Sequence, residues 1–472
     1  LDDLQALFQA LGTRAPRRKV TGISHDTRRL RPGNIYVALK GQRFDGHDLV
    51  DEALRRGAVA VVGERPLKLP VPYARVGNAR KALAKLAAHF YDLPATRLKV
   101  IGVTGTDGKT TTSHLIHHLL NQNGRPTGLI GSVGYAFGHR WRFPEGHFTT
   151  PEAPALQAAL AEMVGEGLRA VVLETSSHAL AQHRVDEVDY DLAVWTHLSP
   201  EHLDFHKDIE DYFKAKASLV ERARFAVLNL ACPYARRLRS HPHLSYGPGG
   251  DFTASRVRED ATGLRFMLHA PGFSGQVSLP MIGAYNVENA LAALAAAFQF
   301  GIDLAGAVRA LASFPGVPGR MQIVTRRPVR GVVDFAHTPR ALAKALETLK
   351  KTTQGRLIVV VGAAGERDPG KRKPLGKVAA TLADVAVFTE EDSRSEPVEV
   401  ILKALTAGAR EGRAEVHIEP DRRQAIRLAS RLARPGDTIL LAGKGHERTL
   451  ERANEVLAWD EVAELKAALG LN

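Results

Sequence analysis

The feature that most limits what this chain can fold into is an alternation, sustained over two long stretches, of short β-branched runs with amphipathic segments long enough to be crossover helices. From residue 98 onward the runs Lys99 to Thr104, Gly128 to Ile130, Ala170 to Glu174, Leu192 to Thr196 and Phe225 to Leu228 read as strands. After a Pro and Gly cluster at Pro315 to Gly319 the pattern resumes at Gly331 to Phe335, Leu357 to Gly362, Val385 to Thr389, Val416 to Glu419 and Thr438 to Ala442. Strands that alternate with helices favour mostly parallel sheets wrapped on both faces. Residues 251–280 interrupt the alternation and read as antiparallel strands, ahead of an alanine-rich helix at Asn286 to Phe300. The first segment reads strand, helix, strand, helix, at Gly33 to Leu39, Val50 to Arg56, Ala58 to Val62 and Ala79 to Tyr91, with Pro94 closing it.

At 472 residues the chain exceeds what one hydrophobic core fills. The expectation is three α/β domains: an N-terminal domain at 1–95, a central parallel-sheet domain at 96–316 and a C-terminal Rossmann-like domain at 317–472. No apolar run approaches the roughly 18 residues of a membrane span, and Leu1 is not followed by a secretory pattern, so the cytoplasm is the expected location. The single Cys232 has no partner for a disulfide and reads as a small buried residue. A net charge of +13 predicts attraction to anions. Zinc-finger spacing, an aromatic RNP-like stretch and a long basic run are all missing from the sequence, so anionic small molecules are favoured over nucleic acid.

The Lys99 to Thr104 run feeds into Gly105-Thr106-Asp107-Gly108-Lys109-Thr110-Thr111 and then a helical pattern. A glycine turn between strand and helix aims backbone N–H groups and a helix N-terminus at phosphate. Lys109 is placed to reach the β and γ phosphates of ATP, and the Thr110 hydroxyl to ligate Mg²⁺. Val103 stands where the general P-loop pattern has glycine.

The shortened loop resembles that of the Mur ligase family, with Asp107 where asparagine is commoner. The other motifs that carry the resemblance are Ser24-His25-Asp26-Thr27-Arg28, Asp45-Gly46-His47-Asp48, Thr149-Thr150-Pro151, Glu174-Thr175-Ser176-Ser177-His178, Gln182-His183-Arg184 and His202-Leu203-Asp204. Further along come Gly283-Ala284-Tyr285-Asn286 with Asn289, Asp334-Phe335-Ala336-His337-Thr338-Pro339 and Gly443-Lys444-Gly445-His446-Glu447. Within the family they are most similar to the branch that couples a diamino acid to UDP-N-acetylmuramoyl-L-alanyl-D-glutamate in peptidoglycan precursor synthesis.

That resemblance implies the site residues. Glu174, His202 and a carbamate on Lys216 would bind Mg²⁺ together with Thr110, and these side chains with Lys109 would be the catalytic set. Lys214 is the nearby alternative to Lys216. Asn289, Arg320, Asp334 and His337 would complete the ATP site from both sides of a hinge near Pro315 to Gly319. Ser24 and Thr27 would hold the uridine diphosphate, or serve only as turn residues. Thr149, Thr150, Ser176, Gln182, Arg184 and Lys216 would contact the muramoyl dipeptide.

Arg367, Asp392, Arg394, Gly443 and Glu447 would bind the incoming amino acid. The implied chemistry is phosphoryl transfer to the D-glutamate carboxylate, then attack of an amine on the acyl phosphate. No macromolecular partner is implied, and a monomer is expected. Diaminopimelate-using relatives carry Asp-Asn-Pro-Arg where this chain has Glu391-Asp392-Ser393-Arg394. The acids suit the bare ammonium of L-lysine or L-ornithine, whereas the retained arginine suits a second carboxylate. Like-charge mismatch tips the reading toward the basic diamino acid. The competing readings are another Mur ligase, a folylpolyglutamate synthetase-like ligase, and a protein that binds ATP without catalysis.

Overall fold

A computed structural model describes residues 3–41, 44–144, 148–202, 205–260 and 262–471. The chain divides into two compact units, one holding Leu1–Ser255, Leu268–Gly275 and Glu288–Ala310, the other holding Arg256–Met267, Gln276–Val287 and Leu311–Asn472.

The first unit contains two sheets. Near the N-terminus, Gly22–Ser24, Asn34–Val37, Ala60–Gly63 and Tyr73–Arg75 pair in that order, all parallel. The central sheet runs His243–Tyr246, Phe225–Asn229, Leu192–Trp195, Lys99–Thr104, Ala170–Glu174, Thr127–Ile130, Tyr135–Phe137 and Arg140–Arg142. Its first six strands are parallel and the last two are antiparallel additions at one edge. Val100, Ile101, Val103, Val171, Val172 and Leu173 are fully buried, as expected for strands covered by helices on both faces. The Ala79–Phe90 helix carries Ala84 and Ala87 against Ala153 of the Ala153–Gly165 helix. Small residues there allow close approach of the two helices, and so seat the N-terminal sheet on the central one.

In the second unit the sheet order is Gln322–Thr325, Arg330–Asp334, Thr438–Ala442, Leu357–Val361, Val385–Phe388 and Glu415–Ile418, the first strand antiparallel and the rest parallel. Alternation along these strands divides the core in two. Val359, Val361, Phe388 and Leu440 pack in one cluster, whereas Ile358, Val360, Val387 and Ile439 pack in the other. Side chains just beyond strands 330–334, 385–388 and 438–442 therefore share the carboxyl edge of one sheet, where open parallel sheets bind ligands.

The predicted strands at 99–104, 128–130, 170–174, 192–196 and 225–228, and the five in the C-terminal stretch, are all present within a residue or two. The interruption at 251–280 is a separate three-stranded sheet of Thr253–Asp260, Gly263–Ala270 and Phe273–Leu279. Sequence reading misses Gly22–Ser24, Tyr73–Arg75, Tyr135–Phe137 and Arg140–Arg142. Each is three residues long, too short for a period to register. No helix among the described residues is long and apolar enough to cross a membrane.

Candidate active site

The glycine turn sits where the sequence places it, between the Lys99–Thr104 strand and the Lys109–Gln122 helix. Gly105 has φ 146°, and a Cβ there would lie 1.9 Å from Thr196 Oγ1, so only glycine fits. Gly108, at φ 84°, is covered by Asn289, whose Oδ1 also accepts from Thr112 Oγ1 at 3.3 Å. Asp107 is exposed and its carbonyl accepts from Thr196 Oγ1 at 2.6 Å. Thr106 Oγ1 donates to Ser199 O and lies 3.1 Å from the Tyr212 hydroxyl. Thr111 is half-buried in the first helical turn.

Two amines converge on one carbonyl of this loop. Lys109 Nζ donates to Gly105 O at 2.8 Å and to Thr106 O at 2.9 Å, and Lys216 Nζ donates to the same Gly105 O at 2.7 Å. Lys216 is fully enclosed, over the Tyr212 ring. Burial, reinforced by repulsion from Lys109, holds its amine well below the usual lysine range. It is therefore readily neutral, the form in which an amine is nucleophilic.

Glu174 ends its strand with no exposed surface. Its Oε2 accepts from Thr110 Oγ1 at 2.9 Å and Ser132 Oγ at 3.2 Å, and its Oε1 accepts from Ser132 N at 3.1 Å. A buried carboxylate ringed by hydroxyls beside a phosphate loop is an all-oxygen donor set, and it fits a hard divalent cation such as Mg²⁺. His202, at φ 56°, lies beside His178, with ring centroids 4.8 Å apart, and 6.2 Å from the Tyr212 ring. Leu203 and Asp204 of the same motif lie outside the described residues. Among the described residues no three His, Cys, Asp or Glu side chains form a ready-made metal cage.

Of the residues expected to contact the muramoyl dipeptide, Lys216 lies at Gly105 O, and Thr149, Thr150, Ser176, Gln182 and Arg184 gather near Glu174. Thr150 Oγ1 donates to Glu174 O at 2.7 Å and accepts from Ser176 N at 3.0 Å, while Ser132 Oγ donates to Thr149 Oγ1 at 3.0 Å. Arg184 donates to Thr150 O at 2.9 Å and Gln182 Oε1 at 2.7 Å, and pairs with Glu152 at 3.0 Å. Its Nε is buried and finds no hydrogen-bond partner among the described residues. Glu152 also faces Arg80, 3.7 Å away on the Ala79–Phe90 helix. Burial lowers the pKa of His25, against the charges of Glu152 and Asp26. The roles of Arg80, Ser132 and Glu152 are invisible in sequence, because each depends on where a distant helix or turn packs. Ser24 Oγ bonds its own turn, donating to Asp26 O at 2.9 Å, and Thr27 is buried at the start of a short 3₁₀ turn.

In the second unit, Arg320, Asp334, His337 and His446 collect around Phe335. The Arg320 guanidinium lies 4.8 Å from the ring centroid, and His337 and His446 lie 4.7 and 5.0 Å away. Asp334 accepts from Met321 N at 2.7 Å and Ala336 N at 3.0 Å. Burial pushes its carboxyl up, against Arg320 and those two donors. Burial also lowers the pKa of His337, whose Nδ1 is 2.9 Å from Phe335 O.

A second cluster occupies the loops 390–394 and 443–447. Lys444 is completely buried and donates to both oxygens of Asp392, at 2.8 and 2.9 Å, while pairing with Glu447 at 2.6 Å. Burial works against its charge, yet Glu447 and Asp392 hold the ammonium above its usual range. Glu390 is clamped by Arg452 at 2.6 and 2.9 Å. Glu391 differs. Its Oε2 is buried without a hydrogen-bond partner among the described residues and faces Gly443, where a Cβ would lie 2.5 Å away. Burial pushes its carboxyl up to about 7, against the nearby charges of Lys371, Arg422 and Lys444. Arg394 pairs with Glu451 at 3.0 Å, and Arg367 is exposed on the loop after the Leu357–Val361 strand. Sequence reading places Asp392 in this site but gives Glu391 and Lys444 no separate role. The quoted motifs contain both, and what identifies them is the pairing of buried Lys444 with two acids and the unpartnered Oε2 of Glu391 among the described residues.

The chain is matched by three family models, one after another along its length. Residues 19–91 match the Mur ligase family catalytic domain, residues 103–297 the Mur ligase middle domain, and residues 319–445 the Mur ligase glutamate ligase domain. The chain belongs to the Mur ligase family, whose members are ATP-dependent ligases. It is 51% identical to a UDP-N-acetylmuramyl-tripeptide synthetase of Deinococcus radiodurans, over 96% of this chain and 95% of that one. It is 41% identical to a UDP-N-acetylmuramoyl-L-alanyl-D-glutamate–2,6-diaminopimelate ligase of Geobacillus kaustophilus, over 95% of each chain. A solved structure carrying that same ligase name superposes with a TM-score of 0.69 at 31% identity, covering 97% of this chain and 96% of that one.

Proposed function

We propose that this enzyme joins a diamino acid to the D-glutamate carboxylate of UDP-N-acetylmuramoyl-L-alanyl-D-glutamate, converting ATP to ADP and phosphate through an acyl phosphate, in the cytoplasm and as a monomer. The observation that carries the reading is the pair of amines on Gly105 O beside the enclosed Glu174–Thr110 contact. It puts positive charge, a carboxylate and a phosphate-binding turn within one pocket wall, the equipment of phosphoryl transfer rather than of a passive nucleotide switch. The names of the relatives above point to the same substrate.

In this mechanism Gly105 to Thr111 cradle the ATP phosphates, and Lys109 leaves the loop carbonyls for the β and γ oxygens. Asn289, Arg320, Asp334 and His337 hold the rest of the nucleotide. The neutral amine of Lys216 adds to CO₂ and sheds a proton, which gives a carbamate with carboxylate-like oxygens. Thr110, Glu174, His202 and that carbamate would hold Mg²⁺, which when bound neutralises phosphate charge. Thr149, Thr150, Ser176, Gln182 and Arg184 orient the muramoyl dipeptide, with Ser24 and Thr27 toward the uridine end. Arg367 grips the α-carboxylate of the diamino acid. The α-amine then attacks the acyl carbonyl, the C–O bond to phosphate breaks, and the amine proton is released.

The amino-acid loops favour L-lysine or L-ornithine over meso-diaminopimelate. One buried ammonium, Lys444, is shared by Asp392 and Glu447, so that trio keeps a negative charge, and Glu391 adds a further carboxyl against Gly443. Asp392 then acts through Lys444, while Glu391 and Glu447 face the distal ammonium. Domain boundaries at 95/96 and 316/317 are part of the same proposal. The test is ADP release in the presence of the UDP-muramoyl dipeptide, the amino acid, or both. Turnover that requires both supports a ligase of this class, and turnover with neither, or none at all, contradicts it.

A further inference from the structure

Arg394 is the one cation of the 390–394 loop, and its guanidinium is already engaged. Nε donates to Glu451 Oε2 at 3.0 Å and Nη1 to Gly365 O at 2.8 Å. Glu451 is itself fastened to the loop through its backbone, since its N–H donates to Asp392 Oδ1 at 2.9 Å and its carbonyl accepts from Arg394 N at 3.1 Å. Arg394 holds φ 51°, a left-handed conformation that a side chain with a Cβ adopts only under constraint, and the bond to Glu451 O is part of that constraint. Glu451 lies on the Thr449–Arg452 strand, which pairs with Glu455–Ala458 in a hairpin remote in sequence from the loop. A continuous chain of contacts thus runs from Glu447 through Lys444, Asp392 and Glu451 to Arg394.

We propose that Glu451 is a specificity-determining residue, which cancels the Arg394 charge and thereby excludes amino acids with a carboxylate at the distal end of the side chain. The proposal rests on the reading of the 390–394 loop as the amino-acid site. A guanidinium binds carboxylate best through two parallel N–H groups, and the edge that includes Nε is taken by Glu451. A distal carboxylate approaching Arg394 meets a fixed negative charge beside the positive one. A distal ammonium meets no such conflict, because Glu391, Asp392 and Glu447 set three carboxyl groups beside the one ammonium of Lys444. Selectivity then comes from a carboxylate that touches the arginine and not the substrate.

The experiment measures kcat/KM for L-lysine, L-ornithine and meso-diaminopimelate in the full-length enzyme and in Glu451→Gln, Glu451→Asp and Glu451→Gln/Arg394→Ala, each checked for an unchanged thermal unfolding midpoint. The expected result is a wild-type preference for the basic amino acids that narrows at least tenfold in Glu451→Gln, through a lower KM for meso-diaminopimelate. Glu451→Asp, which keeps the charge, retains the wild-type preference, and the double variant loses the gain. A wild-type preference for basic amino acids that Glu451→Gln leaves unchanged overturns the role of Glu451 while the ligase reading stands. A wild-type preference for meso-diaminopimelate that Glu451→Gln weakens shows that Glu451 aims Arg394 at a carboxylate, and also overturns it. Ligation of none of the three defeats the ligase reading, and this inference with it.

Discussion

Replacing Glu391 with glutamine separates a buried charge from a buried shape, and the structure sets the size of the effect. Burial moves the Glu391 carboxyl from 4.5 to about 7. A displacement of that size corresponds to a difference of about 3 kcal/mol between the folded and unfolded chains. Because the folded value is the higher one, the contribution is fully present below pH 4.5, is lost as pH rises through about 7, and is then flat. Glutamine imitates the protonated acid at every pH. Urea unfolding of both proteins at pH 5 and pH 8 should therefore show the wild type losing about 2 to 3 kcal/mol relative to Glu391→Gln over that interval. Saturating L-lysine should recover part of the loss at pH 8 in the wild type and little in the variant, since the bound ammonium meets the charge that glutamine lacks. A stability difference that is the same at both pH values would refute the reasoning, because Glu391 would then ionise as an ordinary surface acid.

Lys109→Ala should abolish ligation, by about a thousandfold in kcat, without shifting the unfolding midpoint, because the bonds of the amine to Gly105 O and Thr106 O are ones that phosphate displaces; near-normal turnover at saturating ATP would contradict the phosphate-loop role. For Lys216, incubation with ¹³C-bicarbonate should give a carbamate resonance that disappears in Lys216→Arg, along with activity, and an unmodified amine in fully active enzyme would count against the modification. Arg367→Lys should raise KM for the amino acid about tenfold or more and leave KM for ATP nearly unchanged, since lysine cannot form the two-pronged carboxylate grip; equal effects on the two would remove Arg367 from the amino-acid site.

The parts of this fold that were legible in the sequence are those governed by local rules. Buried parallel strands are continuous apolar runs, so Val100 to Val103 and Leu357 to Val361 announce themselves. Gly105 and Gly108 are legible for a related reason, since the turn needs positive φ and an approach closer than a Cβ permits. Short edge strands such as Tyr135–Phe137 leave no period to read. The proposed amino-acid site was legible in outline only, because its side chains are paired across long separations in sequence. Asp392 and Arg394 read as substrate contacts in the sequence, which gives no sign that Lys444 and Glu451, more than fifty residues away in the chain, pair with them. Glu391 looks like one acid among three until its buried Oε2, without a hydrogen-bond partner among the described residues, sets it apart.

One guanidinium governs how portable this specificity is. Arg422 and Glu461 form an ion pair with no exposed surface on either side chain, and Trp459 Nε1 donates to Glu461 at 2.6 Å. The same arginine donates to Glu390 O at 3.1 Å and to Ala442 O at 2.9 Å, the carbonyls that open the two loops of the amino-acid cluster. Both loops therefore share one buried anchor, beside the contacts of Arg452, Lys444 and Glu451, and that anchor is fixed in turn by the helix beginning at Glu461. Removing Glu461 would strand a buried cation, at a cost of about 3 to 5 kcal/mol, and loosen the anchor that the two loops share. A four-residue cassette grafted at 391–394 from a relative would meet the Lys444 and the hairpin of this chain rather than its own partners. If the 390–394 and 443–447 loops form the amino-acid site, as proposed, amino-acid choice rests on the whole carboxyl edge of the sheet rather than on a four-residue motif.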